Sequence, residues 1–306
     1  MRALALVASI ALLTDNALVA QKAALPRTPD GHPDLQGFWD STTATPLERP
    51  VQFAGREFMT KEEAEEFALN VRNRVVEALS PEDRLAADVD NIYFERQTVL
   101  DRRTALIVDP PDGRVPALLP QAKARVPQRN YDDPEARPLQ ERCLLATQAG
   151  SSNAAPPMVP NPMSQNLYEI VQTAQRVMIH TEIMHDTRII RIGGDHAPAN
   201  LRFWLGDSVG RWDGDTLIVD TTNFNDKRAW RGSTDRLHVV ERFARLPDRI
   251  RYRFTVDDPD TWVRPWSGEI AFLPTTERIL EYACHEGNYA IENVLRGARA
   301  EERPKR

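Results

Sequence analysis

The sequence predicts a mainly-β protein: a closed antiparallel meander barrel preceded by a proline-rich arm and a helical region. Three observations carry that prediction. From Gln165 onward, apolar residues recur with period two in about eight to ten short segments, the repeat of half-buried strands. Short turn sequences join these segments with no helical pattern between them, and Asp213-Gly214 is the strongest hairpin signal in the chain. A long antiparallel run without helices is best served by closure, which removes both sheet edges; a two-sheet sandwich ranks second.

Taken in order, residues 1–20 read as an export signal. Arg2 precedes the apolar run Ala3 to Leu13, and Ala17-Leu-Val-Ala20 offers a cleavage site before Gln21. The apolar run is shorter than the roughly 20 residues a membrane span needs. Asp15 and Asn16 interrupt it, which puts an uncleaved anchor second. The expectation is export to the periplasm or the medium after cleavage near Ala20, with no stable membrane insertion.

Residues 21–164 are expected to form an arm and a helical segment packed on the barrel. Prolines at 26, 33, 46 and 50 keep the first stretch extended. Thr60-Lys-Glu-Glu63 is a capping box, and Ala64, Phe67, Ala68, Val71, Val75 and Val76 repeat at helical spacing to about Leu79. Ser80-Pro-Glu-Asp83 ends that helix and can cap a short second one. Thr104–Val108 reads as a short strand stopped by Asp109-Pro-Pro-Asp-Gly113, with Val115–Leu119 returning beside it. Pro120–Arg129 suggests a helical turn or two, and 130–162 reads as loop.

Residues 165–306 are expected to form the barrel and a closing helix. Hairpins are predicted at Gln165–Gln172 with Arg176–Ile183, at Asp207–Trp212 with Asp215–Phe224, and at Leu237–Leu246 with Arg249–Val256. Thr187–Ile192, Leu201–Leu205, Trp262–Phe272 and Ile279–His285 supply further strands, and Ala290–Arg299 the helix. A barrel of about eight strands has room for side chains plus one small ligand.

The chain of 306 residues carries a formal charge of −6. That balance, with no Lys/Arg block beyond the Arg303-Pro-Lys-Arg306 tail, argues against a nucleic-acid partner. The two cysteines, Cys143 and Cys284, are most simply one disulfide in an oxidising compartment. A nucleophilic Cys284 beside His285 is the alternative, and strand geometry would point those two side chains to opposite faces.

Gly37-Phe-Trp39 and Gly210-Arg-Trp212 resemble the Gly-x-Trp opening of lipocalin-like barrels. The chain also resembles a widespread family of exported, mostly uncharacterised bacterial proteins. That resemblance rests on Thr45-Pro-Leu-Glu-Arg-Pro50, Leu106-Ile-Val-Asp-Pro-Pro-Asp-Gly113, Arg137-Pro-Leu-Gln-Glu-Arg-Cys143, Trp204-Leu-Gly-Asp-Ser208, Thr221-Thr-Asn-Phe224 and Glu281-Tyr-Ala-Cys-His-Glu-Gly-Asn-Tyr289. It implies no particular activity. The family's counterpart of Arg176–Arg191 keeps Glu182, His185 and Arg188, with an aliphatic residue in the place of His180.

Candidate chemistry centres on Arg176–Arg191, where ionisable groups interrupt an apolar, β-branched run. His180-x-Glu182-x-x-His185 does not match the helical His-Glu-x-x-His zinc motif. Strand geometry puts His185 on the opposite face from His180 and Glu182 unless a bulge intervenes. A metal would also need His238 or His285 from another strand, so no metal site is assigned.

Period-two accounting places Glu241 inward with Leu237, Val239 and Phe243. It sets Arg264 between Trp262 and Trp266, Asp220 with Ile218 and Phe224, and His285 with Ile279. Glu241 with Arg264 is a possible buried ion pair. Glu182, His185, Glu241 and His285 are the acid/base candidates. Arg264, Asp220, Trp262, Trp266 and Tyr289 are the ligand-binding ones. No Gly-x-Ser-x-Gly elbow or glycine-rich phosphate loop occurs, so no cofactor is expected. The expected activity is a cofactor-independent lyase, isomerase or hydrolase acting on a small apolar or aromatic molecule in the barrel. A non-catalytic carrier of a small hydrophobic ligand is the alternative.

Overall fold

A computed structural model of the chain describes residues 25–78, 98–125, 133–146, 154–160, 166–228 and 230–302. The export-signal segment and the short helix expected after Ser80 lie outside the described residues.

The elements are β1 (Gly37–Asp40), α1 (Lys61–Ala78), β2 (Ile107–Asp109), α2 (Pro120–Ala124), β3 (Leu167–Gln172), β4 (Arg176–Thr181) and β5 (Thr187–Ile192). They continue with β6 (Asp207–Asp213), β7 (Thr216–Thr222), β8 (His238–Arg245), β9 (Ile250–Asp257), β10 (Trp266–Pro274) and α3 (Ala290–Glu301). The strands form one sheet in the order β1-β3-β4-β5-β6-β7-β8-β9-β10-β2, and a further β1–β10 pairing closes it. The fold is a closed, mainly-β barrel, as expected.

Turn chemistry explains the hairpins. Gly214 takes a positive φ of 56° between β6 and β7, a conformation glycine adopts without steric cost. Thr173 closes the β3–β4 turn, its Oγ1 accepting from Arg176 N at 3.0 Å. The capping box at α1 forms reciprocally: Glu63 Oε2 accepts from Thr60 N at 2.7 Å, and Thr60 Oγ1 from Glu63 N at 3.2 Å. Ala64 and Phe67 of α1 then bury against Phe53 and Met59 in a small core of their own.

Four features differ from the sequence reading. First, β1 arises inside the proline-rich arm and completes the barrel, pairing Trp39 with Tyr168 on one side and Pro274 on the other. Trp39 is buried, its indole N–H donating to Leu35 O at 2.9 Å beneath the Arg245 guanidinium.

Second, β5 and β6 run parallel, with Ile190 opposite Ser208, so the barrel is mixed rather than wholly antiparallel. Parallel neighbours need a crossover connection. Residues 193–206 supply it, and the strand expected at Leu201–Leu205 is reduced to one bridge between Phe203 and Phe224.

Third, Ile279–His285 forms no strand. β1 and β2 already occupy the free edge of β10, so the tail finds no partner and runs along the outside. Val115–Leu119 likewise does not return beside β2; only Leu118 forms a bridge, to Trp262.

Fourth, the lumen is full. Tyr168 and Tyr252 stack on opposite sides of Phe272, at 4.9 and 5.1 Å between ring centroids. The segment 154–160 is buried along its whole length, with Met158 N donating to the Tyr252 hydroxyl at 3.0 Å. Tyr168, Glu241, Tyr252 and Phe272 are all fully buried. The ligand-sized interior expected from strand number is occupied by the chain itself.

Cys143 and Cys284 are joined in a disulfide, with Cα atoms 5.7 Å apart and a sequence separation of 141. It ties the irregular segment before the barrel to the tail after it.

Candidate functional site

The site forms where β4 turns into β5. β4 ends at Thr181 and β5 begins at Thr187, and the residues between depart from strand geometry. Met184 and His185 both take left-handed backbone, φ 58° and 55°. Such conformations cost non-glycine residues on the order of 1–3 kcal/mol each and cluster at functional sites. The irregular corner settles the facing question that a regular strand posed. His180 points outward from β4, and the corner brings His185 back beside it, rings edge-to-face at 4.5 Å. Glu182 leaves the pair instead: it is buried, and its Oε2 accepts the Leu280 N–H of the tail at 3.1 Å.

The two histidines face a cleft of about 510 Å³ between the barrel wall and the tail, lined also by Phe38, Glu169, Arg278 and Leu280. Arg278 stacks over Phe38, with its guanidinium 4.8 Å from the ring centroid. His180 is held by its Nδ1, 2.9 Å from Thr187 Oγ1. Its neighbour His185 has no side-chain hydrogen bond among the described residues, which leaves its ring nitrogens available to a bound molecule. Asp186 completes the corner. Burial pushes its carboxyl up to about 7, and its Oδ2 is buried without a hydrogen-bond partner.

The other expected residues fall elsewhere. Glu241 is inward, as its strand parity predicts, but its partner is Arg188 and not Arg264. Arg188 donates to both carboxylate oxygens at 2.8 and 3.0 Å, and the Tyr252 hydroxyl donates to Oε1 at 2.9 Å. Burial, and then the Glu241 charge, push the Tyr252 hydroxyl well above its usual pKa. The triad is sealed in the core and does not meet the cleft.

Arg264 lies on the loop before β10 and pairs with Asp109 at the surface, at 2.8 Å. Because β10 starts at Trp266, the expected alternation of Trp262, Arg264 and Trp266 on one strand face does not arise. Trp262 and Trp266 instead pack with Trp230, at centroid distances of 6.3 and 6.0 Å, and fill one barrel end. His285 and Tyr289 are exposed in the turn before α3.

Asp220 points outward, since Leu217, Val219 and Thr221 take the inner face of β7. There it joins a chain of hydrogen-bonded ionisable groups that the sequence did not reveal. Arg191 donates to Asp207 at 2.6 Å, and His196 sits between Asp207 (Nδ1, 3.0 Å) and Asp220 (Nε2, 2.9 Å). His238 Nε2 meets the second Asp220 oxygen at 2.9 Å. His196 comes from the irregular crossover, where no periodicity marks a side chain's direction. Burial pushes Asp207 up, but the bonds from Arg191, Ala197 N–H and His196 outweigh it and hold the carboxyl at about 2. The hydrogen bond between His238 and Asp220 raises the histidine's pKa and lowers the aspartate's.

A histidine whose pKa is raised on folding contributes stability below its unfolded value of about 6.5, lost as pH climbs through the folded value. The aspartate contribution is lost in the other direction, as pH falls through its depressed value. Asp220→Asn is therefore expected to lower the His238 titration midpoint and flatten the stability–pH curve on both flanks. An NMR titration of the His238 ring in both proteins checks this; an unchanged midpoint contradicts the pairing.

Among the described residues, no group of three or more His, Cys, Asp or Glu side chains is arranged to hold a metal ion. Fold and site together define a filled, mixed β-barrel with an ionisable cleft on its outer rim. No family model matches the chain, nor does any curated protein or any solved structure.

Proposed function

We propose that the protein is a cofactor-independent acid/base enzyme of the lyase, isomerase or hydrolase type. Its chemistry is placed at the cleft beside the β4–β5 corner and not in the lumen. Membership of the exported bacterial family that the motifs resemble, and export after cleavage near Ala20, belong to the same proposal. The observation that carries it is the His180–His185 ring pair facing a cleft that also holds Arg278.

The roles follow from the chemistry of these groups. An imidazole can both accept and return a proton, so His185, unbonded by the protein, is the acid/base group. His180, fixed by Thr187, orients it. The Arg278 fork is suited to a carboxylate or carbonyl oxygen. Phe38 and Leu280 offer apolar surface to the body of a small apolar or aromatic molecule. Glu182 acts at one remove, holding the tail wall of the cleft through the Leu280 N–H. The carrier reading has less support, because Tyr252, Phe272 and Met158 fill the interior that a hydrophobic ligand would need.

The test is a crystal soak and an NMR titration with a panel of small aromatic carboxylates and ketones, followed by a turnover assay on whatever binds. The expected result is density between Arg278 and His185, with shifts in the His185 ring resonances. His185→Gln should then lose about 100-fold or more of the turnover. Binding confined to other surfaces, or turnover untouched in His185→Gln, overturns the proposal.

A further inference from the structure

The outer wall of β6–β9 carries a feature independent of the cleft. The register sets Arg211 opposite Ile218, Ile218 opposite Arg242, and Arg242 opposite Arg253. Three arginines thus stand in one row across four strands, all exposed. Among the described residues none of the three guanidinium groups has an ion-pair or hydrogen-bond partner. Like charges directly opposite on adjacent strands destabilise a sheet. Here they do so in a chain of formal charge −6, where an acidic neighbour is readily supplied. Glu269, opposite Arg253 on β10, forms no ion pair with it. Asp220 on the same wall is committed to His196 and His238.

Cover of the apolar wall explains part of the row. Ile218 points outward yet is only 7% exposed, and long arginine stems cover such a side chain while keeping their heads in water. Leucine or methionine would cover it as well without the repulsion, so cover alone does not account for three unpaired charges.

We propose that this row docks a linear acidic polysaccharide. Strands lie about 4.8 Å apart, which puts Arg242 about 5 Å from Arg253 and about 10 Å from Arg211. One carboxylate or sulfate group fits between Arg242 and Arg253, taking paired N–H donors from each fork. Arg211 meets the next anionic group along the chain. The outward positions of β6–β9 hold no Phe, Tyr or Trp side chain on which a nucleic-acid base would stack, and the His238 ring is held by Asp220. They also lack an exposed large apolar residue to enter a bilayer, and a convex barrel wall touches a linear chain better than a flat membrane.

The experiment uses the full chain and heparin as probe. Neutral dextran, single-stranded DNA and phosphatidylglycerol vesicles are the competing arms, and affinity is read by calorimetry at several salt concentrations. Heparin is expected to bind with an affinity that falls as salt rises, and dextran not at all. Arg242→Met and Arg253→Met should each weaken heparin binding about tenfold, and Arg114→Met, away from this wall, should not. The same two variants should melt at or above the temperature of the parent protein, because methionine keeps the cover and removes the repulsion. No heparin binding, an equal loss in Arg114→Met, or tighter binding to DNA or vesicles overturns the proposal. So does a lowered melting temperature with unchanged heparin affinity, which would assign the arginines to covering Ile218 alone.

Discussion

Replacing Glu241 by Gln is expected to destabilise the protein by about 3–5 kcal/mol, the usual cost of stranding one partner of a buried ion pair. Arg188 is only 2% exposed and Glu241 is fully buried, so water cannot replace the lost charge. The Arg188 Nε is already buried without a hydrogen-bond partner, and only the carboxylate compensates the guanidinium. Glutamine keeps the shape and one acceptor but none of the charge. The double variant Arg188→Met with Glu241→Leu is expected to recover most of the loss, because well-packed apolar residues commonly replace a buried pair at little net cost. Urea unfolding checks both, provided the slope of the transition is unchanged. A double variant as unstable as the single one would show that the triad with Tyr252 stabilises the core beyond satisfying its own charges.

That triad shows how far the sequence reaches. Strand parity put Glu241 inside because Leu237, Val239 and Phe243 share its face. The same accounting failed on β7, where Leu217, Ile218 and Val219 are apolar on both faces and period two has no preferred phase. Hairpins were legible wherever turn chemistry is local, as at Asp213-Gly214 and Pro247-Asp248. Pairings that depend on distant partners were not. β1 is four residues long within a proline-rich arm; the Gly37-Phe-Trp39 motif marked the place, but no period-two run showed that it pairs as a strand. The burial of Ala154–Pro160 follows from a lumen that needs filling, which no residue of the segment announces.

At the site, the sequence supplied Glu182 and His185 but paired the wrong groups. A regular strand puts His180 with Glu182, whereas two left-handed residues at the corner pair His180 with His185. Neither Met184 nor His185 is glycine or asparagine, so the local sequence carries no strong signal for two successive positive φ angles. The contribution of Arg278 and Leu280 was equally hidden, because the tail was read as a strand.

Removing the disulfide is the second large effect. Closing the loop between Cys143 and Cys284, 141 residues apart, restricts the unfolded chain by about 5 kcal/mol on the chain-entropy estimate. β3 to β10 all lie inside that loop, so the crosslink acts on the unfolding of the barrel and not merely on its ends. Cys143→Ala with Cys284→Ala, or reduction of the parent protein, is expected to lower the melting temperature by about 10 °C or more. A shift under about 2 °C would mean that the tail and the 133–146 segment detach before the barrel melts. Hydrogen exchange then decides where the crosslink acts. The tail that Cys284 anchors also presents Leu280 to Glu182 and Arg278 to the cleft. Loss of the disulfide should therefore raise exchange at the Leu280 amide before any barrel strand exchanges, and should weaken binding at His185 in parallel. If the barrel loses stability while the Leu280 amide stays protected, Glu182 and not the disulfide holds the cleft wall in place.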